Sequence, residues 1–314
     1  MGFIYEEKDN LAEEMFQLKF KEGELKLKLA DSERQLFRLN YEIEKKEKRF
    51  KSLHCQKKID SSKGTILFVT PTYKRYTQKA DLVRLSQTLS HISNLLWIVV
   101  EDDTITNYKV EEFLEGTKIP FVYLAAKTPE QFKLKNKDPN WKFPRGISQR
   151  NIALEWVRIN YIKNNNAVLY FGDDDNTYDL ALFREMRNIS NIGLWPVGIV
   201  GGLLAEGPIV SGGKITGFNS IWKPERYVPM DFAGFALNVT TILNHPEVKF
   251  RYETAVGLQE SSFIQDLEID FESFEPKAQN CSKVYVWHTR TEKYLPSKQA
   301  INKINGDASD DAVF

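Results

Sequence analysis

The chain has 314 residues, of which 42% are hydrophobic and 27% charged, so it is long enough to bury a sizeable core as one large or two medium domains. Its 43 basic and 43 acidic residues cancel, which excludes bulk electrostatic attraction to nucleic acid or to a membrane surface as the basis of its function. Two cysteines, Cys55 and Cys281, are too few for a disulfide scaffold or for a tetrahedral metal site of their own.

Residues 1–62 contain dense lysine and glutamate, no proline, and apolar residues that recur on a seven-residue repeat. The apolar a and d positions are Leu11, Met15, Leu18, Leu25, Leu29, Leu36, Leu39, Ile43, Phe50 and Leu53. This repeat predicts an α-helical coiled-coil stem followed by a linker, and a long helix packed on its own globule is the alternative. A parallel coiled coil would place two copies of Cys55 side by side, so an interchain disulfide is a hypothesis there.

Residues 63–190 alternate the patterns of buried strands and amphipathic helices. Apolar, β-branched runs predict strands at Thr65–Thr70, Leu95–Val100, Phe121–Ala125 and Ala167–Phe171, and helical spacing predicts helices at Ala80–Ile92 and Gly146–Ile162. Strands that alternate with helices predict a parallel sheet with both faces covered, and hence the α/β class.

Residues 191–300 lack the regular alternation of strand and helix patterns. The segment Ile192–Gly202 is apolar and rich in glycine, Pro208–Phe218 predicts a hairpin that turns at Ser211–Gly213, and Val284–Trp287 predicts a late strand. We expect this region to form one continuous globule with residues 63–190. The tail, residues 301–314, is polar and is expected to be mobile unless a partner holds it.

Three consecutive carboxylates, Asp173 to Asp175, follow the last strand predicted in the first region. Ligands of open α/β sheets bind beyond the carboxyl ends of the strands. Hard cations such as Mn²⁺ and Mg²⁺ prefer carboxylate oxygens, so Asp175, together with Asp173, is a candidate ligand for a metal that also holds a diphosphate. The alternative is that Asp175 or Thr177 caps the helix expected from about Leu180.

Three N-x-[ST] triplets, at Asn188, Asn238 and Asn280, are glycosylation candidates and a mild indication of the secretory pathway. The first residues lack the basic and apolar regions of a signal peptide, and no apolar run is long enough to span a membrane. If the protein is secretory, we expect its membrane anchor to lie outside this chain.

A set of ordered strings over residues 65–293 resembles the animal beta-1,3-glucuronosyltransferases. The strings are Val69–Tyr73, Val100–Asp102, Pro144–Gly146, Gln149–Asn151, Phe171–Tyr178, Trp195–Gly198, Glu206–Pro208, Asp231 with Ala233–Phe235, Glu260–Ser262 and Trp287–Lys293. The resemblance implies a nucleotide-sugar-binding, GT-A-like globule, a homodimer and residence in the Golgi lumen. It also implies an inverting transfer of glucuronic acid from UDP-glucuronic acid to the 3-hydroxyl of a terminal galactose.

The resemblance further implies a role for individual residues on the donor side. Tyr73 and Asp102 match contacts to uracil and ribose, and Asp175 matches the ligand of Mn²⁺, or of Mg²⁺. Basic or carboxylate groups near the diphosphate, the ribose and the donor sugar are matched by Arg145, Arg150, Asp173, Asp174, His288 and Arg290. A planar guanidinium suits both phosphate and carboxylate oxygens.

On the acceptor side, Glu260 matches the catalytic base, which the chemistry requires because the attacking hydroxyl must lose its proton. Glu206 and Asp231 match carboxylates that bind the acceptor, and Trp222 matches an aromatic platform for a sugar. Taken singly, each residue has a plainer interpretation: Glu260 as a helix start, His288 as a structural histidine, Trp222 as core and Arg145 as surface.

Two choices stay open at the level of the sequence. The acceptor is a Gal-Gal-Xyl proteoglycan linker, which we favour, or a Gal-GlcNAc terminus of a glycoprotein or glycolipid. The alternative to an enzyme is a non-catalytic, dimeric scaffold that binds UDP-sugars. A metal-dependent nucleotidyltransferase or phosphatase would need a nucleophile or a second metal cluster, and neither is evident.

Overall fold

The computed structural model describes residues 64–294 except 136–137, 140–141 and 162–165, together with Ser297 and part of residues 15–36. The chain divides into two units, Met1–Gln56 and Lys57–Phe314. In the first unit the described residues are helical and exposed, and the repeat leucines Leu18, Leu25, Leu29 and Leu36 are 58–66% exposed. Met15 is likewise 53% exposed. The other apolar repeat positions and Cys55 lie outside the described residues, so the coiled coil and its disulfide stay predictions.

The core of the second unit is a sheet whose central strands are parallel. Strand β1 (Thr65–Thr72) lies between β2 (Leu95–Glu101) and β4 (Ala167–Phe171), and β3 (Phe121–Ala125) follows β2 at the edge. Every residue of β2 and β4 is buried, as expected for strands covered on both faces. All four strands are predicted by their apolar runs, although β1 and β2 extend further than predicted.

The α-helices of the second unit are mostly short. They are α1 (Gln78–Leu89), α2 (Tyr108–Thr117), α3 (Ile147–Asn160), α4 (Leu180–Glu185), α5 (Val239–Asn244), α6 (Gln259–Asp266) and the single turn α7 (Ala278–Cys281). The cap of α4 is Asp179, whose carboxylate accepts a hydrogen bond from the amide of Ala181 at 2.7 Å. The alternative prediction that Asp175 or Thr177 caps this helix is therefore wrong, because Asp179 occupies the position.

The remaining strands are β5 (Thr177–Tyr178), β6 (Ile192–Leu194), β7 (Val197–Val200), β8 (Leu203–Ser211), β9 (Lys214–Asn219), β10 (Phe235–Asn238), β11 (Glu275–Pro276) and β12 (Val286–Trp287). Within the described residues the main sheet has the order β11-β6-β10-β4-β1-β2-β3, and a second sheet has the order β5-β12-β7-β8-β9. Strand β10 is antiparallel to both β4 and β6. The two predicted regions, 63–190 and 191–300, therefore share the main sheet.

The hairpin of β8 and β9 turns at Gly212 and Gly213, whose φ angles of +57° and +78° suit the two-residue turn of a twisted hairpin. The turn lies where the sequence predicts it. Gly172 matters for the site, because a Cβ at this position would lie 2.1 Å from Cζ of the buried Phe68. The ring of Phe68 thus fixes the path of the chain as it leaves β4 and enters the run of three aspartates.

Candidate active site

The predicted donor residues meet at one edge of the main sheet. Tyr73 follows β1, Asp102 follows β2, and Asp173 to Asp175 follow β4. Because these strands are parallel and adjacent, their carboxyl ends lie side by side. This is the edge at which open α/β sheets bind their ligands.

Asp174 points into the protein. It is 5% exposed, its Oδ2 accepts a hydrogen bond from Thr72 Oγ1 at 2.7 Å, and its Oδ1 lies 2.7 Å from Arg75 Nη2. Burial raises the pKa of Asp174 to about 6, although Arg75 and Thr72 favour the ionised form. Both carboxylate oxygens are held by the protein, so Asp174 anchors the loop, and its match to a donor contact stays a prediction.

Asp173 faces the basic side chain of Arg150 in α3. Its Oδ1 lies 3.0 Å from Nη2 of Arg150, and the other guanidinium nitrogen of Arg150 donates to the carbonyl of Arg145 at 3.0 Å. The Arg150 guanidinium also lies 4.1 Å from the centre of the Phe232 ring. The structure thus brings Arg150 and Asp173 together, whereas the side chain of Arg145 is exposed.

Asp175 is held by the segment that follows β12. Its Oδ2 accepts from the amide of Thr291 at 3.3 Å, and its carbonyl accepts from Thr289 Oγ1 at 2.7 Å. Burial and the neighbouring charge of Asp173 raise the pKa of Asp175, which marks a carboxylate pair that a cation would stabilise.

The donor set fits a divalent cation that also binds phosphate. Among the described residues there is no group of three or more His, Cys, Asp or Glu side chains placed to hold a metal by themselves. Mg²⁺ and similar ions are commonly held by one or two carboxylates, with the other positions taken by water and substrate phosphates. Asp175, with Asp173, suits that arrangement.

Tyr73 and Asp102 lie at the ends of neighbouring strands. The side chain of Tyr73 is 50% exposed, and the guanidinium of Arg75 lies 4.7 Å from the centre of its ring. Asp102 accepts hydrogen bonds from the amide of Thr128 at 2.6 Å and from its hydroxyl at 2.7 Å. The carboxylate of Asp102 is therefore fixed in place, while the ring of Tyr73 is accessible to a planar base.

The predicted base, Glu260, lies in the first turn of α6. Its Oε2 is buried and has no hydrogen-bond partner in the protein. Burial, together with the charge of Asp231, raises the pKa of Glu260 to about 7. A carboxyl group with one buried, unpartnered oxygen and a pKa near neutrality has the properties that general base catalysis requires.

Asp231 and His288 form an ion pair beside this group, with 3.2 Å between Asp231 Oδ2 and His288 Nδ1. Burial alone would raise the pKa of Asp231, but the pairing with His288 outweighs it and lowers that pKa. The pairing with Asp231 in turn raises the pKa of His288. Asp231 is thus kept ionised next to a carboxyl group whose pKa is raised to about 7.

The other predicted acceptor residues lie near this pair. Glu206 is 3% exposed and accepts a hydrogen bond from Ser220 Oγ at 2.7 Å, and burial raises its pKa. Trp222 is 40% exposed, and its ring centre lies 4.6 Å from the guanidinium of Arg226. The charges of Glu206 and Glu260 both act on Arg226. The structure therefore adds a basic residue to the predicted acceptor side.

A cavity of about 470 Å³ opens beside His288. Its lining is formed by Ile199, Val200, Gly201, Gly202, His288, Thr289 and Arg290. The Nε atom of Arg290 donates to Nε2 of His288 at 3.2 Å, so the two predicted donor-side residues are in contact. Ile199 lies in β7 with a φ of +58°, a left-handed conformation that is rare for a β-branched residue.

The glycosylation candidates differ in exposure. Asn188 and Asn280 are exposed. In Asn238, by contrast, the side-chain Nδ2 donates to the carbonyl of Ile189 at 2.8 Å, and Oδ1 accepts from the backbone amide of Thr240 at 2.8 Å. The thiol of Cys281 is half-buried, and burial raises its pKa to about 12. It is therefore not a reactive thiol.

Sequence reasoning missed four residues that the fold places at the site: Arg75, Arg84, Arg226 and Thr291. Arg75 is two residues beyond Tyr73. A basic side chain just after the end of a predicted strand could have marked it as a candidate site residue. Arg84 lies on α1 and donates to the carbonyl of Asp175 at 3.3 Å. Such a contact, between residues far apart in the chain, leaves no local pattern.

Comparison with known proteins identifies the family of the chain. Residues 85–292 match the model of Glycosyltransferase family 43. The chain is 44% identical over 303 residues to a galactosylgalactosylxylosylprotein 3-beta-glucuronosyltransferase of Caenorhabditis elegans, covering 96% of this chain and 85% of the relative. The galactosylgalactosylxylosylprotein 3-beta-glucuronosyltransferases I of Drosophila melanogaster and 3 of Homo sapiens are 44% and 42% identical, covering 78% and 79% of this chain and 82% and 77% of theirs.

The chain belongs to glycosyltransferase family 43 and is a glycosyltransferase. The resemblance to the beta-1,3-glucuronosyltransferases that the ordered strings indicate is thereby confirmed. No helix in the described part of the chain combines the length and apolar character needed to cross a membrane.

Proposed function

We propose that the protein transfers glucuronic acid from UDP-glucuronic acid to the 3-hydroxyl of a terminal galactose, with inversion at the anomeric carbon. The observation that carries the proposal is the buried Oε2 of Glu260, which has no protein partner and belongs to a carboxyl group with a pKa of about 7. The names of the relatives support glucuronic acid as the sugar transferred.

Glu260 accepts the proton of the acceptor hydroxyl as that oxygen attacks the sugar from the face opposite UDP. The bond from the acceptor oxygen to the anomeric carbon forms while the bond from that carbon to the UDP oxygen breaks. One displacement accounts for inversion, so no covalent intermediate on the enzyme is needed. Asp231 stays ionised through its pairing with His288, which keeps the pKa of Glu260 high enough for proton transfer near neutral pH.

On the donor side, Tyr73 offers an exposed ring to uracil, and Asp102 is oriented by Thr128. Arg150, His288 and Arg290 are suited to the diphosphate and to the sugar carboxylate. A divalent cation held by Asp175, with Asp173, would neutralise charge on the departing UDP. We propose Mn²⁺ for this position, with Mg²⁺ as the alternative.

On the acceptor side, Glu206 and Asp231 offer carboxylate oxygens to sugar hydroxyls, and Trp222 offers an exposed ring to a sugar face. The names of the relatives specify a galactosyl-galactosyl-xylosyl acceptor, and we favour the proteoglycan linker for this reason. Transfer to Gal-GlcNAc termini is the alternative that the test below distinguishes. We further propose residence in the Golgi lumen and a homodimer joined by the stem.

The test offers the purified chain UDP-glucuronic acid and Mn²⁺ together with Galβ1-3Gal or Galβ1-4GlcNAc, and measures the UDP released. We expect release with Galβ1-3Gal and loss of release in Asp175→Asn, whose UDP binding should no longer depend on metal. Release only with Galβ1-4GlcNAc would move the protein to the other acceptor class. If wild type binds UDP with Mn²⁺ and transfers to neither sugar, the non-catalytic scaffold replaces the enzyme.

A further inference from the structure

The segment that follows β12, residues 288–294, crosses the site from the second sheet to α1, and we call it the strap. Two of its side chains, His288 and Arg290, line the cavity beside the donor edge. Two other residues of the strap hydrogen-bond to Asp175, the proposed metal ligand. Thr289 Oγ1 donates to the carbonyl of Asp175, and the backbone amide of Thr291 donates to its Oδ2. The strap therefore contacts both the sugar side and the metal side of the donor site.

The strap is anchored to α1 through the hydroxyl of Thr291. That hydroxyl donates to Oδ1 of Asp81, a carboxylate that is 1% exposed. It also accepts a hydrogen bond from Arg84 Nη2 at 3.2 Å, and the same nitrogen lies 3.0 Å from Asp81 Oδ1 and 3.3 Å from the carbonyl of Asp175. Asp81, Arg84 and Thr291 thus form a closed set of contacts around the backbone of Asp175.

The same aspartate reaches the other side of the acidic run. Asp81 Oδ2 lies 2.8 Å from Nη2 of Arg75, and that nitrogen lies 2.7 Å from Oδ1 of Asp174. The ring of Tyr294 adds an edge contact to Tyr76 at 6.1 Å, which holds the far end of the strap beside the start of α1. Asp174 and Asp175 are therefore both linked to the buried carboxylate of Asp81, Asp174 through Arg75 and Asp175 through Thr291.

From these contacts we infer that Thr291 is a positioning residue for Asp175. Its hydroxyl fixes the strap to Asp81 and Arg84, and its amide then holds Oδ2 of Asp175 in one orientation, so that the other carboxylate oxygen is presented to a divalent cation. This role rests on the proposed function for its cation and its nucleotide. Groups that hydrogen-bond to a metal ligand commonly change metal affinity by about 10–100-fold when they are removed.

The test compares Thr291→Val, which removes the hydroxyl at nearly constant shape, with Thr291→Ser, which keeps it. Thr216→Val is the matched control, because the hydroxyl of Thr216 donates to the carbonyl of Ile209 in the β8–β9 hairpin. Amide hydrogen exchange of the strap is measured without metal or nucleotide. The dissociation constant of UDP is measured by calorimetry with Mn²⁺ and with a chelator.

In Thr291→Val we expect faster exchange in the strap and about 10-fold weaker UDP binding with Mn²⁺, whereas binding in the chelator stays at the wild-type value. Thr291→Ser and Thr216→Val should both behave as wild type. Equal losses with and without Mn²⁺ would overturn the inference, as would wild-type exchange in Thr291→Val or an equal loss in Thr291→Ser.

Failure of the proposed function has a different signature. If wild-type protein binds UDP equally with Mn²⁺ and with the chelator, the metal-dependent donor site is wrong, and the orienting role of Thr291 is overturned with it. The exchange measurement needs neither ligand, so it still decides whether the hydroxyl holds the strap to α1.

Discussion

The carboxyl group of Glu260 lies near the ionised carboxylate of Asp231. Burial raises the pKa of Glu260 to about 7, and the negative charge of Asp231 contributes to that rise. Asp231 remains ionised because His288 pairs with it. The pKa values of two carboxyl groups in one site are thus shifted in opposite directions by their surroundings, which makes Glu260 a candidate base and Asp231 a fixed anion.

The first prediction concerns pH. The base must be ionised to act, so kcat/KM for the acceptor should rise with pH through a midpoint of about 7. Asp231→Asn removes an anion beside Glu260 and stabilises its ionised form, so the midpoint should move to lower pH even though the maximal rate falls. Rate profiles for both proteins check this, and an unchanged or higher midpoint in the variant would contradict it.

The second prediction concerns Glu260→Gln and turnover. The amide has nearly the shape of the carboxyl group but cannot accept a proton, so the rate of transfer should fall by roughly 10²–10⁴-fold. UDP binding should match wild type, because the proposed donor residues lie at the carboxyl ends of β1, β2 and β4 and do not include Glu260. Released UDP and calorimetry measure the two quantities, and full activity in this variant would remove Glu260 from the mechanism.

The third prediction concerns the stability of the same variant. The pKa of Glu260 is raised from 4.5 to about 7 in the folded protein, so the free energy of unfolding of wild type should fall as pH rises between these values. Glu260→Gln carries no such penalty. At pH 8 we expect it to be more stable than wild type by about 1–3 kcal/mol, with the difference lost at pH 4. Denaturant melts at both pH values test this, and a constant difference would contradict it.

The fourth prediction concerns Ile199, whose φ of +58° is unfavourable for a β-branched side chain. Its neighbours in β7 pair with β8, as Gly198 with Ala205 and Val200 with Leu203. Asparagine tolerates this conformation, so Ile199→Asn should raise the free energy of unfolding by about 1 kcal/mol.

Ile209 supplies the control for this experiment, because it is a half-exposed isoleucine of β8 whose φ is not positive. There the same change to asparagine should lower stability, since asparagine is disfavoured in strands. Denaturant melts of both variants measure the difference. Equal effects at the two positions would show that the backbone of Ile199 is not strained.

The fifth prediction concerns Trp222, whose ring is 40% exposed beside Arg226. If this ring supports the acceptor, Trp222→Ala should raise the KM for the acceptor by about 10-fold, the scale of an aromatic contact, while Trp222→Phe keeps part of it. UDP binding should not change. Steady-state kinetics with the acceptor varied make the comparison, and an unaltered KM would assign Trp222 to packing alone.

The sequence predicts the elements whose signal is local. The four parallel strands and the turn at Gly212 and Gly213 are confirmed, because buried runs and turn chemistry depend on neighbours in the chain. Helix α2 is absent from the predictions although Val110 and Leu114 have helical spacing. Strand β10, which is only Phe235–Asn238, is too short for its pattern to reveal that it enters the main sheet.

The site could be predicted as a set of residues but not as a geometry. A run of three aspartates does not reveal that Asp174 points inward to Arg75, whereas Asp173 faces Arg150. The link between Asp175 and Thr291 joins residues 116 positions apart. Only the fold brings such pairs together, so Arg84, Arg226 and Thr291 could not be assigned from spacing.

The position of β10 has a consequence for how donor and acceptor preferences change. This strand follows Asp231 directly through a short turn and lies between β6 and β4, the strand that leads into the aspartate run. Cutting the chain near residue 190 would leave the edge of β4 unpaired and would separate Glu260 and Asp231 from the aspartate run. In a chimera of two relatives joined at that point, β4 of one parent must pair with β10 of the other, so we expect such chimeras to be less stable than either parent. A new acceptor preference is therefore acquired more readily by substitutions within the intact globule than by exchange of halves.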